Sequence, residues 1–331
     1  MIEVQHLTRF FGDKLAVDDI SFTVKRGEVL GFLGPNAAGK STTMRMITGF
    51  LPPTSGTAVI GGSDIIKNSL KARKKIGYLP ENAPAYPDMT VMGFLEFIAG
   101  IRGLSGTLKK SRMEETIERC FLTEVRFQPI STLSKGFKQR VCFAQSIIHD
   151  PEYLIMDEPT DGLDPNQKHE VRVMIREMAQ DKTIILSTHI LEEVEALCSR
   201  AIIIARGKIV ADDTPMRLKA ESSLHGAVSF TLTNPAVVAS ATLAESATNG
   251  NDPLVHLKDI PEVERMEVVS ENESRMTLRA FPKDQGHPPA NEIMERLVQN
   301  GFTIDTFQVE SGRLDEVFRT VTNPDAPEGE K

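Results

Sequence analysis

The chain has 331 residues, enough for two domains of ordinary size. Its hydrophobic fraction of 40% and charged fraction of 25% are ordinary for a globular protein, and no apolar run approaches the ~18 residues of a membrane span. The net charge of −8 is unevenly placed: from Lys219 to Lys331 there are 10 Lys/Arg against 19 Asp/Glu, with near balance before them. An acidic C-terminal part is a poor nucleic-acid clamp, so no nucleic-acid partner is expected. The N-terminus Met1-Ile2-Glu3-Val4-Gln5-His6 lacks the basic and apolar regions of a signal peptide, so a cytoplasmic location is expected. Work at a membrane would need spanning helices from other subunits. Cys120, Cys142 and Cys198 have no ligand-type spacing, and their odd number argues against a disulfide framework.

In chain order, Ile2 to Leu7 alternates as a strand does, Phe10-Phe11-Gly12 reads as a turn, and Ile20 to Val24 alternates again. Glu28 to Leu33 is an apolar run that reads as a buried strand. Thr57 to Ile60 and Ile76 to Leu79 are further strands, with Lys71 to Lys75 basic and helical between them. Val91, Phe94, Leu95, Ile98 and Ile101 fall at helical spacing within Thr90 to Leu104. Helices over Ser111 to Leu122 and Gly136 to Ile148 follow and read as an inserted helical subdomain. Tyr153 to Asp157 and Thr183 to Ser187 are strands, Pro165 to Gln180 and Ile190 to Cys198 helices, and Ala201 to Ile204 with Ile209 to Ala211 a hairpin. Alternation of this kind indicates a mostly parallel α/β sheet.

After about Leu218 the pattern changes. Strands are expected at Val228 to Leu232, Val263 to Val269, Met276 to Phe281 and Ile304 to Val309, with a turn at Glu271 to Ser274. Helices are expected at Pro235 to Ala244, Asn291 to Asn300 and Asp315 to Val321. The order β-α-β-β-α-β suggests a small ferredoxin-like domain. Asn323 to Lys331 is polar and bears Pro and Gly, so it is expected to be disordered.

The chemistry concentrates at Gly34-Pro35-Asn36-Ala37-Ala38-Gly39-Lys40-Ser41-Thr42, which fits G-x-x-x-x-G-K-[ST] between a strand and a helix. Successive backbone N–H groups and a helix N-terminus would face an anion. Lys40 would reach the β- and γ-phosphates of a nucleotide, and Ser41 would ligate Mg²⁺. Asp157, at the end of its apolar strand, would hold Mg²⁺ from the other side, and Glu158 would polarise an attacking water.

Leu133-Ser134-Lys135-Gly136-Phe137-Lys138-Gln139-Arg140 precedes that strand. Here the sequence resembles the ATP-binding cassette (ABC) family, with Leu133 to Phe137 similar to its signature motif. The other family elements follow in order: Phe11 matches the aromatic that stacks on adenine, and Glu81 sits at the Q-loop position. Asp161-Gly162-Leu163-Asp164 resembles the D-loop, and His189 after Ser187-Thr188 matches the switch histidine.

The resemblance covers about residues 1–218. It implies a P-loop NTPase cassette at 1–218, with a helical subdomain near 88–150. The α+β accessory domain after it, at 219–322, carries no Cys/His cluster, Gly-rich loop or paired-carboxylate motif, so it is expected to regulate or dock without chemistry of its own. The resemblance also implies ATP and Mg²⁺, with Ser41, Asp157 and Glu81 near the metal, and catalysis by Lys40, Glu158 and His189. Two copies would meet head-to-tail, each Ser134 segment contacting the nucleotide held by the other chain. Separate membrane-spanning permease subunits would make the protein peripheral on the inner face of the cell membrane. Leu-Ser-Lys-Gly with Tyr78-Leu79-Pro80-Glu81 is most like ABC-2-type exporter ATPases of the gliding-motility and sodium-efflux kinds. An importer ATPase and a soluble non-transport ABC ATPase are the alternatives.

Three departures stand out. Ala37 replaces the usual third-position Gly, with the expectation that its backbone is not strongly left-handed. Glu81 replaces Gln, and Lys135 and Phe137 replace Gly and Gln of the commonest signature.

Overall fold

The computed structural model describes residues 1–82, 84–233, 253–257, 259–272 and 275–323. The expected helix Pro235 to Ala244 lies outside the described residues, as do Glu273 and Ser274 of the expected turn and the tail from Pro324. Two compact units are distinguished, one holding Met1–Pro215 with the chain end from Phe318, the other Met216–Val317.

In the first unit, β1 (Ile2–Phe11) and β2 (Lys14–Val24) form an antiparallel hairpin. Phe10 and Phe11 are paired strand residues, not part of a turn: Phe10 opposes Leu15 and Phe11 opposes Lys14. The reversal falls on Gly12, whose φ of +56° is the left-handed geometry glycine tolerates. β3 (Val29–Leu33) is buried along its whole length and runs into the phosphate-type loop and α1 (Lys40–Ile47). β4 (Ser55–Ile60) and β5 (Ser63–Asp64) return to the hairpin and complete an antiparallel sheet of order β2-β1-β4-β5.

α2 (Ser69–Lys74) leads to β6 (Ile76–Leu79). Next come α3 (Val91–Ile101), capped by Thr90 Oγ1 accepting from Gly93 N, and α4 (Gly106–Arg119). α4 starts five residues before the expected Ser111, because its first turn carries no apolar periodicity to mark it. Two short 3₁₀ turns precede α5 (Lys135–Ile147). Then follow β7 (Tyr153–Asp157), α6 (Pro165–Ala179), β8 (Thr183–Thr188), α7 (Leu191–Leu197), β9 (Arg200–Ala205) and β10 (Lys208–Asp213), after which α8 (Pro215–Ala220) opens the second unit.

The central sheet has the order β10-β9-β3-β8-β7-β6, parallel throughout except for the β10 edge. β3, β7 and β8 are buried at every position, as strands covered on both faces must be. The carboxyl ends of β3, β7 and β8 lie side by side, with Leu33 opposite Thr188 and Asp157 opposite Ser187. This is the edge of a parallel sheet where ligands bind. Beneath it, Phe32, Met44, Ile47, Ile155, Ile185 and Ile202 share one core with the inner face of the antiparallel sheet.

In the second unit, β11 (Val228–Thr233), α9 (Pro253–Leu257), β12 (Val263–Glu271), β13 (Arg275–Pro282), α10 (Ala290–Gln299) and β14 (Ile304–Val309) make a βαββαβ unit. Its strands are all antiparallel in the order β12-β13-β11-β14. The order is ferredoxin-like. Val228, Phe230 and Leu232 alternate inward onto Leu257, Ile293 and Leu297, a small core of its own. α11 (Leu314–Thr322) follows. No helix of the described residues is long and apolar enough to cross a membrane.

Candidate functional site

The loop from β3 to α1 is built to leave amides uncovered. Gly39 stands at the head of α1 with φ +113°, and no side chain caps that helix. A Cβ on Gly39 would lie 2.7 Å from the Ala16 carbonyl oxygen, so neither the backbone angle nor the space admits another residue. The first N–H groups of α1 therefore point into the loop as an anion-binding end. Ala37 has φ +64°, which overturns the expectation that it avoids the left-handed region. The loop must reverse there, and Ala takes a conformation costing on the order of 1 kcal/mol relative to Gly.

Lys40 is buried and folds back over the loop, its Nζ donating to Gly34 O at 2.7 Å and Pro35 O at 3.2 Å. Burial holds its ammonium below the usual lysine range, opposed by the nearby carboxylates of Glu158, Asp157 and Glu81. The Ser41 hydroxyl donates to Asp157 Oδ1 at 3.2 Å, and Ser187 donates to the same oxygen. Asp157 is fully buried, and its Oδ2 has no hydrogen-bond partner among the described residues. An orphaned carboxylate oxygen beside a serine hydroxyl suits a hard cation such as Mg²⁺, which takes one or two protein ligands and completes its shell with phosphate and water. Glu81 lines the same cleft.

Glu158 follows Asp157 with φ +52°, an uncommon angle for a residue with a side chain. Two hydrogen bonds fix that turn, its own N–H donating to the Ser187 carbonyl and hydroxyl oxygens, each at 3.2 Å. The carboxylate lies 4.0 Å from Lys40 Nζ through Oε1 and 2.9 Å from His189 Nδ1 through Oε2. Burial raises its pKa above the usual glutamate range, opposed by His189 and Lys40. A partly desolvated carboxylate is a stronger base than a solvated one, and the His189 hydrogen bond keeps it oriented, which suits it to accept a proton from an attacking water.

Of these groups Lys40, Ser41, Glu81 and Glu158 line one cleft of about 610 Å³, together with Phe11, Lys14, Ala16, Asn36, Ala37, Gly39 and Thr42, whereas Asp157, Ser187 and His189 are not among its lining residues and reach it only through Ser41 and Glu158. Phe11 stands at its rim, with the Arg9 guanidinium 4.7 Å from the ring centroid on one side. Gly34, Pro35 and Ala38 support the loop from behind and do not line the cleft.

The residues Leu133 to Phe137 do not line it either. Ser134 caps α5, its hydroxyl accepting from Phe137 N at 3.3 Å. Lys135 reaches across to Asp161, Nζ to Oδ2 at 2.9 Å, and packs over Gly162. Asp164 closes a capping box with Gln167 at the start of α6, behind the buried Leu163. The signature-like and D-loop-like segments thus form one surface apart from the cleft of the same chain.

Sequence reasoning did not single out Ser187, Gln139 or Lys14. Ser187 is set against Asp157 by the β7–β8 register, which spacing alone does not reveal. Gln139 donates to the carbonyls of Glu158 and Pro159 at 3.5 and 3.4 Å, linking α5 to the turn after β7.

The family model described as "ABC transporter" matches residues 17–161. The chain is 38% identical over 258 residues to the linearmycin resistance ATP-binding protein LnrL of Bacillus subtilis (strain 168), covering 77% of this chain and 82% of that protein. It is 37% identical to the Nod factor export ATP-binding protein I of Ralstonia nicotianae, covering 66% of this chain and 68% of that one. The match to the probable multidrug ABC transporter ATP-binding protein YbhF of Escherichia coli (strain K12) is 41% identical over 67% of this chain, but spans only 39% of YbhF. Among solved structures, an ATP-binding subunit of an ABC transporter superposes with TM-score 0.63 at 30% identity, over 67% of this chain and 92% of that one. The dimeric MJ0796 cassette gives TM-score 0.61 at 23% identity, over 65% of this chain and 99% of that one, a likeness of fold.

Proposed function

The chain belongs to the ABC transporter family of ATP-binding subunits, and from that premise we propose that it hydrolyses ATP to drive the membrane-spanning subunits of an exporter. The observation that carries the hydrolytic part is the Glu158 carboxylate, held between His189 and Lys40 at the mouth of the phosphate-type loop. Export is supported by the relatives, whose names are multidrug, linearmycin resistance and Nod factor export ATP-binding proteins.

In this reading adenine stacks on Phe11, and the phosphates lie along the amides from Asn36 to Thr42. Lys40 transfers its hydrogen bonds from the Gly34 and Pro35 carbonyls to phosphate oxygens. Ser41 and Asp157, with Glu81 close by, would hold Mg²⁺, which when bound supplies charge neutralisation at the phosphates. Glu158 orients a water in line with the γ-phosphorus and accepts its proton as the oxygen–phosphorus bond forms and ADP leaves. His189 keeps the carboxylate aimed and donates toward the charge that develops. Two chains close head-to-tail, so that each Ser134 helix end meets the γ-phosphate held by its partner. The separation of Ser134 from its own chain's cleft supports that arrangement.

A second cleft, of about 630 Å³, has exposed apolar residues, including Phe50 and Ile101, and a basic rim of Arg73, Lys74 and Arg102. It is the surface in this reading for an amphipathic acidic helix of the membrane subunit, which would keep the protein at the inner face of the membrane.

Glu158→Gln tests the hydrolytic reading. The variant is expected to bind ATP as the parent does and to turn over at least ~10²-fold more slowly, the usual loss of a general base. Unchanged steady-state hydrolysis would sink the assignment.

A further inference from the structure

α7 carries three glutamates, and one of them is out of place by the ordinary rule for charges. Glu193 is 1% exposed, whereas Glu192 and Glu195 face outward. A carboxylate is almost never buried this completely unless it has partners. The partners here are two hydroxyls from two different segments of the site. Thr160 donates its hydroxyl to Oε1, and Thr188 donates to Oε2 at 2.9 Å. Both threonines are as buried as the carboxylate. Arg172 on α6 approaches Oε1 at 3.7 Å and provides the compensating charge.

Thr160 lies two residues after Glu158, and Thr188 lies immediately before His189. One carboxylate therefore holds the segment that carries the candidate base and the segment that carries its histidine. Thr188 is doubly fixed, since its hydroxyl also accepts from Ile190 N at 3.0 Å. We propose that Glu193 is a positioning residue: it sets the Glu158–His189 distance of 2.9 Å by clamping Thr160 and Thr188 to a common point on α7, without touching nucleotide. The inference rests on the hydrolytic reading of the site.

Glu158 needs such a clamp. Its φ of +52° is not a resting conformation for a glutamate, and His189 sits on a half-exposed loop between β8 and α7. Ser187 already ties the Glu158 turn to β8 through that residue's N–H, and Glu193 adds a second tie, between Thr160 and Thr188, that limits how far the two side chains can drift apart. A displacement near 1 Å at a reacting group costs up to ~10²-fold in rate.

The test uses the full-length chain and compares kcat with KM for ATP. Activity is scaled to the fraction of protein that binds a non-hydrolysable ATP analogue, so that misfolded material does not count. Glu193→Gln keeps the shape but replaces one acceptor by a donor. It is expected to lower kcat by about tenfold or more with KM changed less than twofold, the pattern of a geometry held in the transition state. Thr160→Val and Thr188→Val, which leave Glu193 in place, are expected to lower kcat in the same way. Thr160→Ser and Thr188→Ser, which keep the hydroxyls, are expected to retain it. Should Glu193→Gln fail to fold, the threonine series answers the question alone. Wild type and Glu158→Gln are measured alongside. If wild type is inert or Glu158→Gln is fully active, the reading of the site fails. If both behave as expected and the Val variants keep the parental kcat, or the Ser variants lose as much as the Val variants, the clamp is overturned while the reading of the site stands.

Discussion

At the residue scale, two of the seven non-glycine residues with positive φ among the described residues lie at the candidate site. Ala37 and Glu158 both have φ above +50°, and both line the candidate cleft. Glu158 has its compensation in Ser187, which receives its N–H through two oxygens. Ala37 has only the loop. Replacing Ala37 by Gly removes a left-handed penalty of about 1 kcal/mol, partly offset by the greater freedom of glycine in the unfolded chain. The expected result is a small rise in the denaturation midpoint of Ala37→Gly, with hydrolysis retained. A lower midpoint would mean that the Ala37 methyl makes a contact worth more than the strain. The sequence made the residue types of the candidate phosphate-type loop legible, because the spacing G-x-x-x-x-G-K-S is rarely accidental. It did not reveal φ at Ala37, since a backbone angle is set by closure of the whole loop. Glu193 was legible in principle: it lies four residues before Leu197, on the buried stripe of α7, where a charge is anomalous.

At the scale of elements, β6 pairs with β7 and packs closely on α5 at Gly77. Gly77 on β6 is the narrowest point. A Cβ there would sit 2.1 Å from the Ser146 carbonyl oxygen and 2.7 Å from Leu154. The first of these is backbone and cannot step aside. Gly77→Ala is expected to destabilise the chain by about 1–3 kcal/mol, the usual cost of overpacking, read as a fall in the urea midpoint. A midpoint within error of the parent would mean that α5 can slide. The same junction carries a titrating group. His149, just after α5, donates from Nε2 to Ile76 O at 3.1 Å, and its Nδ1 is buried without a partner among the described residues. Burial, with Arg102 and Lys182 near, pushes its pKa down to about 4, against a smaller opposite pull from Asp150 and the Ile76 carbonyl. The unfolded chain then takes up this proton first, near pH ~6.5, so the His149 contribution is intact above that pH and is lost as pH falls toward 4. Urea midpoints at pH 7 and pH 5 should differ in that direction, and His149→Gln should shrink the difference. An unchanged pH dependence in the variant would show that His149 is not the group responsible.

At the scale of the whole chain, the parallel sheet could be read from its apolar runs, because strands buried on both faces carry no polar alternation to confuse them. The four strands of the second unit and its amphipathic helix at Ala290–Gln299 were legible from period-2 and helical spacing, but its first helix was not: the helix between β11 and β12 is Pro253–Leu257, whereas the expected Pro235 to Ala244 lies outside the described residues. The antiparallel sheet was not. β1 pairs with β4 across some fifty residues of intervening chain, and nothing local in either strand names its partner. The surface made by Ser134, Lys135 and Asp161 was likewise recognisable only as separate motifs. The two segments meet in the exposed Lys135–Asp161 ion pair, a consequence of Lys standing where the commonest signature has Gly, and are tied beneath it by Gln139.

The central claim is that ATP is hydrolysed at a site completed by a second copy of the chain. The most direct measurement is ATPase activity after mixing two inactive full-length variants, Lys40→Ala, which spoils the phosphate-type loop, and Ser134→Arg, which spoils the helix end expected to face the partner's nucleotide. In a mixed dimer one composite site keeps both an intact Lys40 and an intact Ser134. The mixture is therefore expected to hydrolyse ATP well above either variant alone, with the gain greatest near equal amounts. Activity that never exceeds the sum of the two variants, in a mixture shown by cross-linking to contain mixed dimers, would contradict the shared site.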